Sequence, residues 1–151
     1  MWQDSRVPEV DPQALRGVTV FSGLSPEELE RVTSVAAVTE HPPGDALTEQ
    51  GAYSHRFYLI LDGKVSVDRD GERVTTLGPG EFIGEISLLG GGKATATVRC
   101  EEATRCLVLR REDFWKVLEE EPAMALRILE VVCRRLAEEY GRGPRDNVVG
   151  N

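Results

Sequence analysis

The sequence lacks the residue patterns that most disulfide frameworks and protein metal sites require. Its 151 residues include three cysteines and two histidines. The cysteines form no Cys-x-x-Cys pair, and His41 and His55 belong to no metal-binding motif. An odd number of unpaired cysteines predicts buried free thiols at Cys100, Cys106 and Cys133, and we expect neither a metal nor another bound cofactor.

Basic charge and long apolar runs are also scarce. The chain has 18 Lys and Arg residues against 26 Asp and Glu residues, a formal net charge of −8. Because DNA binding needs a basic surface, this chain alone is not expected to bind DNA. It has no run of about 18 apolar residues, and residues 1–13 lack the apolar centre of a secretory signal. We therefore expect a cytoplasmic protein that does not associate with membranes.

Hydrophobic patterning predicts a single domain over residues 1–151, a length that suffices for one core. A helical segment over 11–37 precedes a strand-rich segment over 38–110. Two helices are predicted within 111–140, followed by a frayed tail over 141–151. Near the start, Ser25-Pro26-Glu27-Glu28 predicts a helix opened by a capping box.

The strand-rich segment predicts eight short strands. β-prone runs alternate with Gly, Pro and Asp-Gly turn signals at intervals of roughly ten residues. Asp70-Gly71 lies between two alternating runs and predicts a tight hairpin. The predicted fold class is therefore α+β: an eight-stranded antiparallel jelly roll, or β-roll, flanked by N-terminal and C-terminal helices.

The segment 82–98 contains the residues that are best suited to bind a ligand. A strand ends at Gly84, where the absence of a β-carbon lets the backbone approach a ligand. Residues 85–89 predict one helical turn, whose first amides lack internal partners and favour an anion. A glycine-rich loop over 90–92 and a strand over 94–98 follow. We expect a pocket that offers backbone donors, one carboxylate and one hydroxyl.

This segment resembles the phosphate-binding cassette of cyclic-nucleotide-binding domains. In that family the cassette contains Phe-Gly-Glu, then Pro-Arg, a small residue and Ala-Thr-Val, and the resemblance covers about residues 14–140. It implies a β-roll that binds cyclic AMP or cyclic GMP, as in the kinase A regulatory subunit, catabolite-activator-type regulators and nucleotide-gated channels. Upstream residues with the family's spacing are Gly44-x-x-Leu47, Gly51, Tyr58-x-Ile60 and Gly63-x-Val65.

The resemblance implies a role for individual residues of the cassette. Glu85 would accept a hydrogen bond from the ribose 2′-hydroxyl. Backbone amides around Gly84, Ile86 and Ser87 would face the cyclic phosphate. Thr95 occupies a position where a hydroxyl touches phosphate or base, and threonine there favours cyclic GMP.

The sequence departs from the family pattern at Ala94, where the family has an arginine, and at Lys93, where it has a proline. That arginine donates a charge-assisted hydrogen bond to the phosphate. Its loss costs roughly 1.5–3 kcal/mol, or about ten- to a hundredfold in affinity. Alternation along a strand predicts that Lys93 points away from the pocket, unless the glycines at 90–92 relax this constraint.

Two functions remain open. The first is a sensor or regulatory domain, in which a cyclic nucleotide in the cassette moves the C-terminal helices. The second is a protein-protein interaction module that kept the fold and lost the nucleotide. A jelly-roll metal enzyme is disfavoured because only two histidines are present, so we expect no enzymatic activity.

The last predicted helix, over 122–140, is apolar around much of its circumference. Either both faces pack within the fold, or one face packs against a second copy of the chain or a partner protein. Tyr140 is alternatively a lid that stacks on a base. Transcription regulators of the family continue with a helix-turn-helix module. This chain ends eleven residues after Tyr140. Signalling through a separate partner is therefore expected, unless the sequence is a fragment of a longer protein that carries its own effector.

Overall fold

The computed structural model describes residues 10–142, without the side chains of Ile86 and of residues 139–142. Two short 3-10 turns, Pro12–Leu15 and Thr19–Phe21, precede the first α-helix. The helices and strands then follow in the predicted order. They are α1 (Pro26–Ser34), β1 (Ala37–His41), β2 (Ala46–Thr48), β3 (Arg56–Asp62), β4 (Val65–Arg69), β5 (Glu72–Leu77), β6 (Phe82–Ile83), α2 (Glu85–Gly90), β7 (Thr97–Cys100), β8 (Thr104–Arg110), α3 (Arg111–Glu120) and α4 (Pro122–Arg142).

The strands form two four-stranded sheets, ordered β1-β8-β3-β6 and β2-β7-β4-β5. Neighbouring strands are antiparallel in both sheets. The chain crosses from one sheet to the other at every connection between consecutive strands except that between β4 and β5. The predicted eight-stranded roll with flanking helices is thus confirmed.

Two local predictions are confirmed by hydrogen bonds and backbone angles. The Ser25 hydroxyl accepts a hydrogen bond from the Glu28 amide at 3.1 Å, and the Glu28 carboxylate accepts one from the Ser25 amide at 2.8 Å. This is the capping box that begins α1. Asp70 and Gly71 both have positive φ, at 56° and 82°, as a two-residue hairpin between β4 and β5 requires.

The core has two layers. Between the sheets, one cluster contains Ile60, Val65 and Val108. Between the first sheet and the helices, a larger cluster contains Phe57, whose ring stacks on Phe114 of α3 with 4.8 Å between centroids and lies 5.3 Å from Phe82. Since Phe82 is the first residue of β6, this aromatic group anchors the strand that leads into the cassette.

Three boundaries differ from the predicted ones. β1 begins at Ala37 rather than at residue 38, and α4 continues to Arg142. β7 begins at Thr97, because Ala94 bonds instead to the loop before β3: its amide donates to Ala52 O at 2.9 Å, and its carbonyl accepts from the Gly51 amide at 2.8 Å. Residues 143–151 of the predicted tail lie outside the described part of the chain.

The cysteines follow the prediction in part. Cys100 and Cys106 are buried free thiols, and burial raises the pKa of Cys106 to about 12. Cys133 is exposed instead, because it lies on the face of α4 that does not contact the core. Within residues 10–142, no helix is both long and apolar enough to cross a membrane.

Candidate functional site

A cavity of about 820 Å³ lies between the roll, the cassette and α4. This volume is within the range of small-molecule sites. Five of the seven predicted site residues line the cavity, whereas Lys93 does not. Ile86 belongs to the same helical turn, but its side chain is outside the described structure. The five lining residues are Gly84, Glu85, Ser87, Ala94 and Thr95.

Gly84 makes the turn from β6 into α2. Its φ is +102°, a left-handed value that residues with a side chain rarely adopt. A β-carbon at this position would also overlap the carbonyl oxygen of Arg56 on β3. The sequence analysis predicted that the role of this glycine is to let a ligand come close to the backbone. The structure shows that the close neighbour is the adjacent strand.

The predicted helical turn after Gly84 is present as α2. Its first backbone bond runs from the Leu88 amide to Gly84 O at 3.1 Å. The amides of residues 85–87 therefore precede the first internal hydrogen bond of the helix. Ser87 also bonds to Gly84 O through its hydroxyl, at 3.3 Å. The start of the turn faces the cavity, since Gly84, Glu85 and Ser87 all line it.

Glu85 is bound by an arginine of the last helix. Its side chain is 2% exposed, and its Oε2 accepts a hydrogen bond from Arg135 Nη1 at 2.8 Å. Arg135 Nη2 donates to Phe82 O at 2.7 Å, and the guanidinium lies 4.9 Å from the centroid of the Phe82 ring. One side chain of α4 therefore contacts both the strand before the cassette and the cassette carboxylate.

Burial raises the pKa of Glu85, because it removes water from the charged form, and the positive charge of Arg135 opposes this rise. The sequence analysis did not find Arg135. A buried carboxylate is expected to have a charged or hydrogen-bonding partner, but sequence alone does not say which of the 18 basic residues supplies it.

The two unusual cassette positions have different surroundings. Ala94 is buried in the cavity wall, and it is the position at which the resemblance implies an arginine. Lys93 is exposed, and its Nζ lies 5.5 Å from the centroid of the Tyr53 ring. Lys93 does not line the cavity, and it lies before β7 begins at Thr97, so strand alternation does not set its direction. Thr95, the residue after Ala94, also lines the cavity.

Helix α3 also holds the cassette. The indole Nε1 of Trp115 donates a hydrogen bond to Leu88 O in α2, at 3.2 Å. This contact was not predicted, because the periodicity of α3 marks Trp115 only as one of several apolar residues. Within residues 10–142, no three His, Cys, Asp or Glu side chains are grouped as metal ligands would be.

Helix α4 has one buried and one exposed apolar face. Met124 and Ile128 are buried in the core, whereas Leu126 and Leu129 are 56% and 55% exposed. Of the two alternatives for this helix, packing of both faces within the fold is wrong for the described residues. The side chain of Tyr140, the alternative lid, lies outside the described structure.

The family model of the cyclic nucleotide-binding domain matches residues 38–121. This match includes all eight strands except the first residue of β1, together with α2 and α3. The chain therefore belongs to the cyclic nucleotide-binding domain family, whose members are regulatory domains.

The relatives place this domain among several kinds of regulatory protein. The chain is 35% identical over 129 residues to the cyclic AMP receptor protein of Thermus thermophilus, covering 82% of this chain and 60% of the relative. It is 36% identical over 108 residues to isozyme 2, forms cD5/T2, of the cGMP-dependent protein kinase of Drosophila melanogaster, covering 66% of this chain and 12% of the kinase.

The fold is similar to a solved structure of the same kind. The crystal structure of the Thermus thermophilus catabolite activator protein matches with a TM-score of 0.73 and 35% identity. The match covers 80% of this chain and 59% of that protein. The chain thus spans three fifths or less of the length of these relatives, which carry further segments of their own.

Proposed function

We propose that this domain binds a cyclic nucleotide in the 820 Å³ cavity and transmits its binding to α4. One observation carries the proposal: a buried carboxylate of the cassette, Glu85, lines the cavity and is bound by Arg135 of α4. A ligand that engages Glu85 therefore acts on a group that already holds the last helix.

Each contact of the ligand has a candidate residue. Glu85 accepts a hydrogen bond from the ribose 2′-hydroxyl, and the amides of Gly84, Ile86 and Ser87 face the cyclic phosphate. Thr95 offers its hydroxyl to phosphate or base. Threonine at this position favours cyclic GMP, whereas the 35% identical relative is named for cyclic AMP, so both nucleotides belong in the test.

Coupling to α4 follows from the shared carboxylate. The ribose hydroxyl and the Arg135 guanidinium both approach Glu85, whose Oε2 is already 2.8 Å from Arg135 Nη1. Binding changes the strength of this contact and shifts the balance between two packings of α4 against the roll. A partner protein that contacts α4 would then respond to this change in packing.

Calorimetric titration with cyclic AMP and cyclic GMP tests nucleotide binding, on wild type and on Ala94→Arg. We expect wild type to bind one of the two, and Ala94→Arg to bind it about ten- to a hundredfold more tightly. The reason is that residue 94 lines the cavity, so a guanidinium there reaches the phosphate. Ala103→Arg is the matched control, because Ala103 is exposed and outside the cavity wall.

The same titration decides between the two candidate functions. Binding by Ala94→Arg alone would favour the interaction module that lost its ligand, a role for which the exposed Leu126 and Leu129 provide a surface. Absence of heat from both proteins with both nucleotides would overturn nucleotide sensing altogether.

Amide hydrogen exchange with and without nucleotide tests the coupling to α4. We expect saturating ligand to change exchange in residues 128–138, because Arg135 connects this part of α4 to Glu85. Exchange in the paired strands β1 and β8 is the internal control and should stay constant. A response confined to the cassette and β7 would contradict the coupling while leaving nucleotide binding intact.

A further inference from the structure

The cassette contributes no cation to the cavity, since Ala94 replaces the arginine and Lys93 points to Tyr53. An anion that enters a partly buried cavity loses water, and its binding is unfavourable unless a positive charge compensates for that loss. If the domain binds a cyclic nucleotide, another element has to supply this charge. Among the side chains that the structure describes, three arginines line the cavity: Arg69, Arg134 and Arg135.

Arg69 is the last residue of β4 and lies on the inward face of that strand. Side chains alternate along a strand. Val65 is fully buried between the sheets, and Val67 packs on the same cluster. Arg69 continues this face at the next alternate position. Asp68 lies on the opposite face, where it forms an ion pair with Arg73 at 3.1 Å.

Arg69 also contacts the cassette backbone next to the substituted position. Its Nε donates a hydrogen bond to Thr95 O at 3.3 Å. Thr95 directly follows Ala94, so the guanidinium of Arg69 lies beside the segment from which the family's arginine would extend. The charge that Ala94 lacks is thus present nearby, on a different strand.

The other two arginines are less suitable for this role. Both Arg134 and Arg135 belong to α4, the helix that we propose to move. β4, by contrast, pairs with β5 on one side and with β7 on the other. The backbone that carries Arg69 is therefore held by the sheet and not by α4.

We infer that Arg69 supplies the positive charge that meets the cyclic phosphate in this domain. The inference rests on the proposed function and adds to it a binding residue outside the cassette. The guanidinium would donate charge-assisted hydrogen bonds to the phosphate oxygens, as the arginine of the family pattern does.

Calorimetry on Arg69→Gln tests the inference, with Arg73→Gln as the matched control on the neighbouring strand. Arg69→Gln is expected to weaken binding of the preferred nucleotide about ten- to a hundredfold. Arg73→Gln removes the same charge from a surface ion pair, so a change of about threefold or less is expected. Arg69→Lys keeps the charge and should lose less affinity than Arg69→Gln.

Combining Arg69→Gln with Ala94→Arg separates a phosphate contact from a merely structural role. If both guanidiniums serve the same phosphate, Ala94→Arg compensates for most of the loss, and the two effects are not additive. If Arg69 only positions Thr95, the effects add, and the inference is wrong. Equal losses in Arg69→Gln and Arg73→Gln would also overturn it while leaving the proposed function intact. Absence of binding by wild type would refute both.

Discussion

Gly84→Ala is expected to lower the free energy of unfolding by about 3 kcal/mol. The left-handed backbone at Gly84 alone costs a residue with a β-carbon about 1–2 kcal/mol. The new methyl group would in addition overlap the Arg56 carbonyl oxygen, so β6 and β3 would have to separate. Urea unfolding followed by circular dichroism measures the change.

Gly44→Ala is the control for this substitution. Gly44 has a similar φ of +93°, but a β-carbon there meets nothing within 4 Å. In this variant only the left-handed backbone is unfavourable, so the free energy of unfolding should fall by about 1–2 kcal/mol. Equal losses of stability in the two variants would show that contact with Arg56 is not what demands a glycine at position 84.

Arg135→Met is expected to destabilise the folded domain by about 3 kcal/mol or more near neutral pH. Removing one partner of a buried ion pair leaves the other charge uncompensated. Glu85 is 2% exposed and would be that charge, whereas Arg135 is 27% exposed and keeps part of its hydration. Glu85→Gln in the same background removes the charge, so Glu85→Gln/Arg135→Met should be more stable than Arg135→Met.

The loss in Arg135→Met should depend on pH. Burial holds the pKa of Glu85 above its ordinary value, and removal of Arg135 raises this pKa further. A carboxyl whose pKa is raised in the folded state binds its proton more readily there than when unfolded. Stability therefore improves as the pH falls through the raised pKa. Unfolding at several pH values should show that the difference in free energy of unfolding between wild type and Arg135→Met decreases as the pH falls. A difference that does not depend on pH would contradict our account of Glu85.

Most of the fold could be predicted from sequence because its signals are local. The capping box lies within Ser25–Glu28, and the hairpin depends on the two residues Asp70 and Gly71. Alternation within single runs was sufficient to identify the strands. The start of β7 was predicted three residues early, because the backbone of Ala94 bonds to the distant Gly51 and Ala52.

The site could be predicted only as far as the cassette itself. Gly84, Glu85, Ala94 and Thr95 lie together in one stretch of sequence, and the cavity wall contains all four. The contacts from elsewhere in the chain were not predicted. Arg135 is fifty residues from Glu85 and Trp115 is 27 residues from Leu88, and contacts between residues this far apart leave no periodic signal in a single sequence.

The pairing of Glu85 with Arg135 has a consequence for biosynthesis. A ribosome makes the chain from the N-terminus, so Glu85 emerges long before residue 135. The sheet that supports β6 also closes late, because β8 is its last strand in sequence and pairs with both β1 and β3. Glu85 thus lacks its partner until α4 has been synthesised, and the pocket is complete only once that helix packs against the roll.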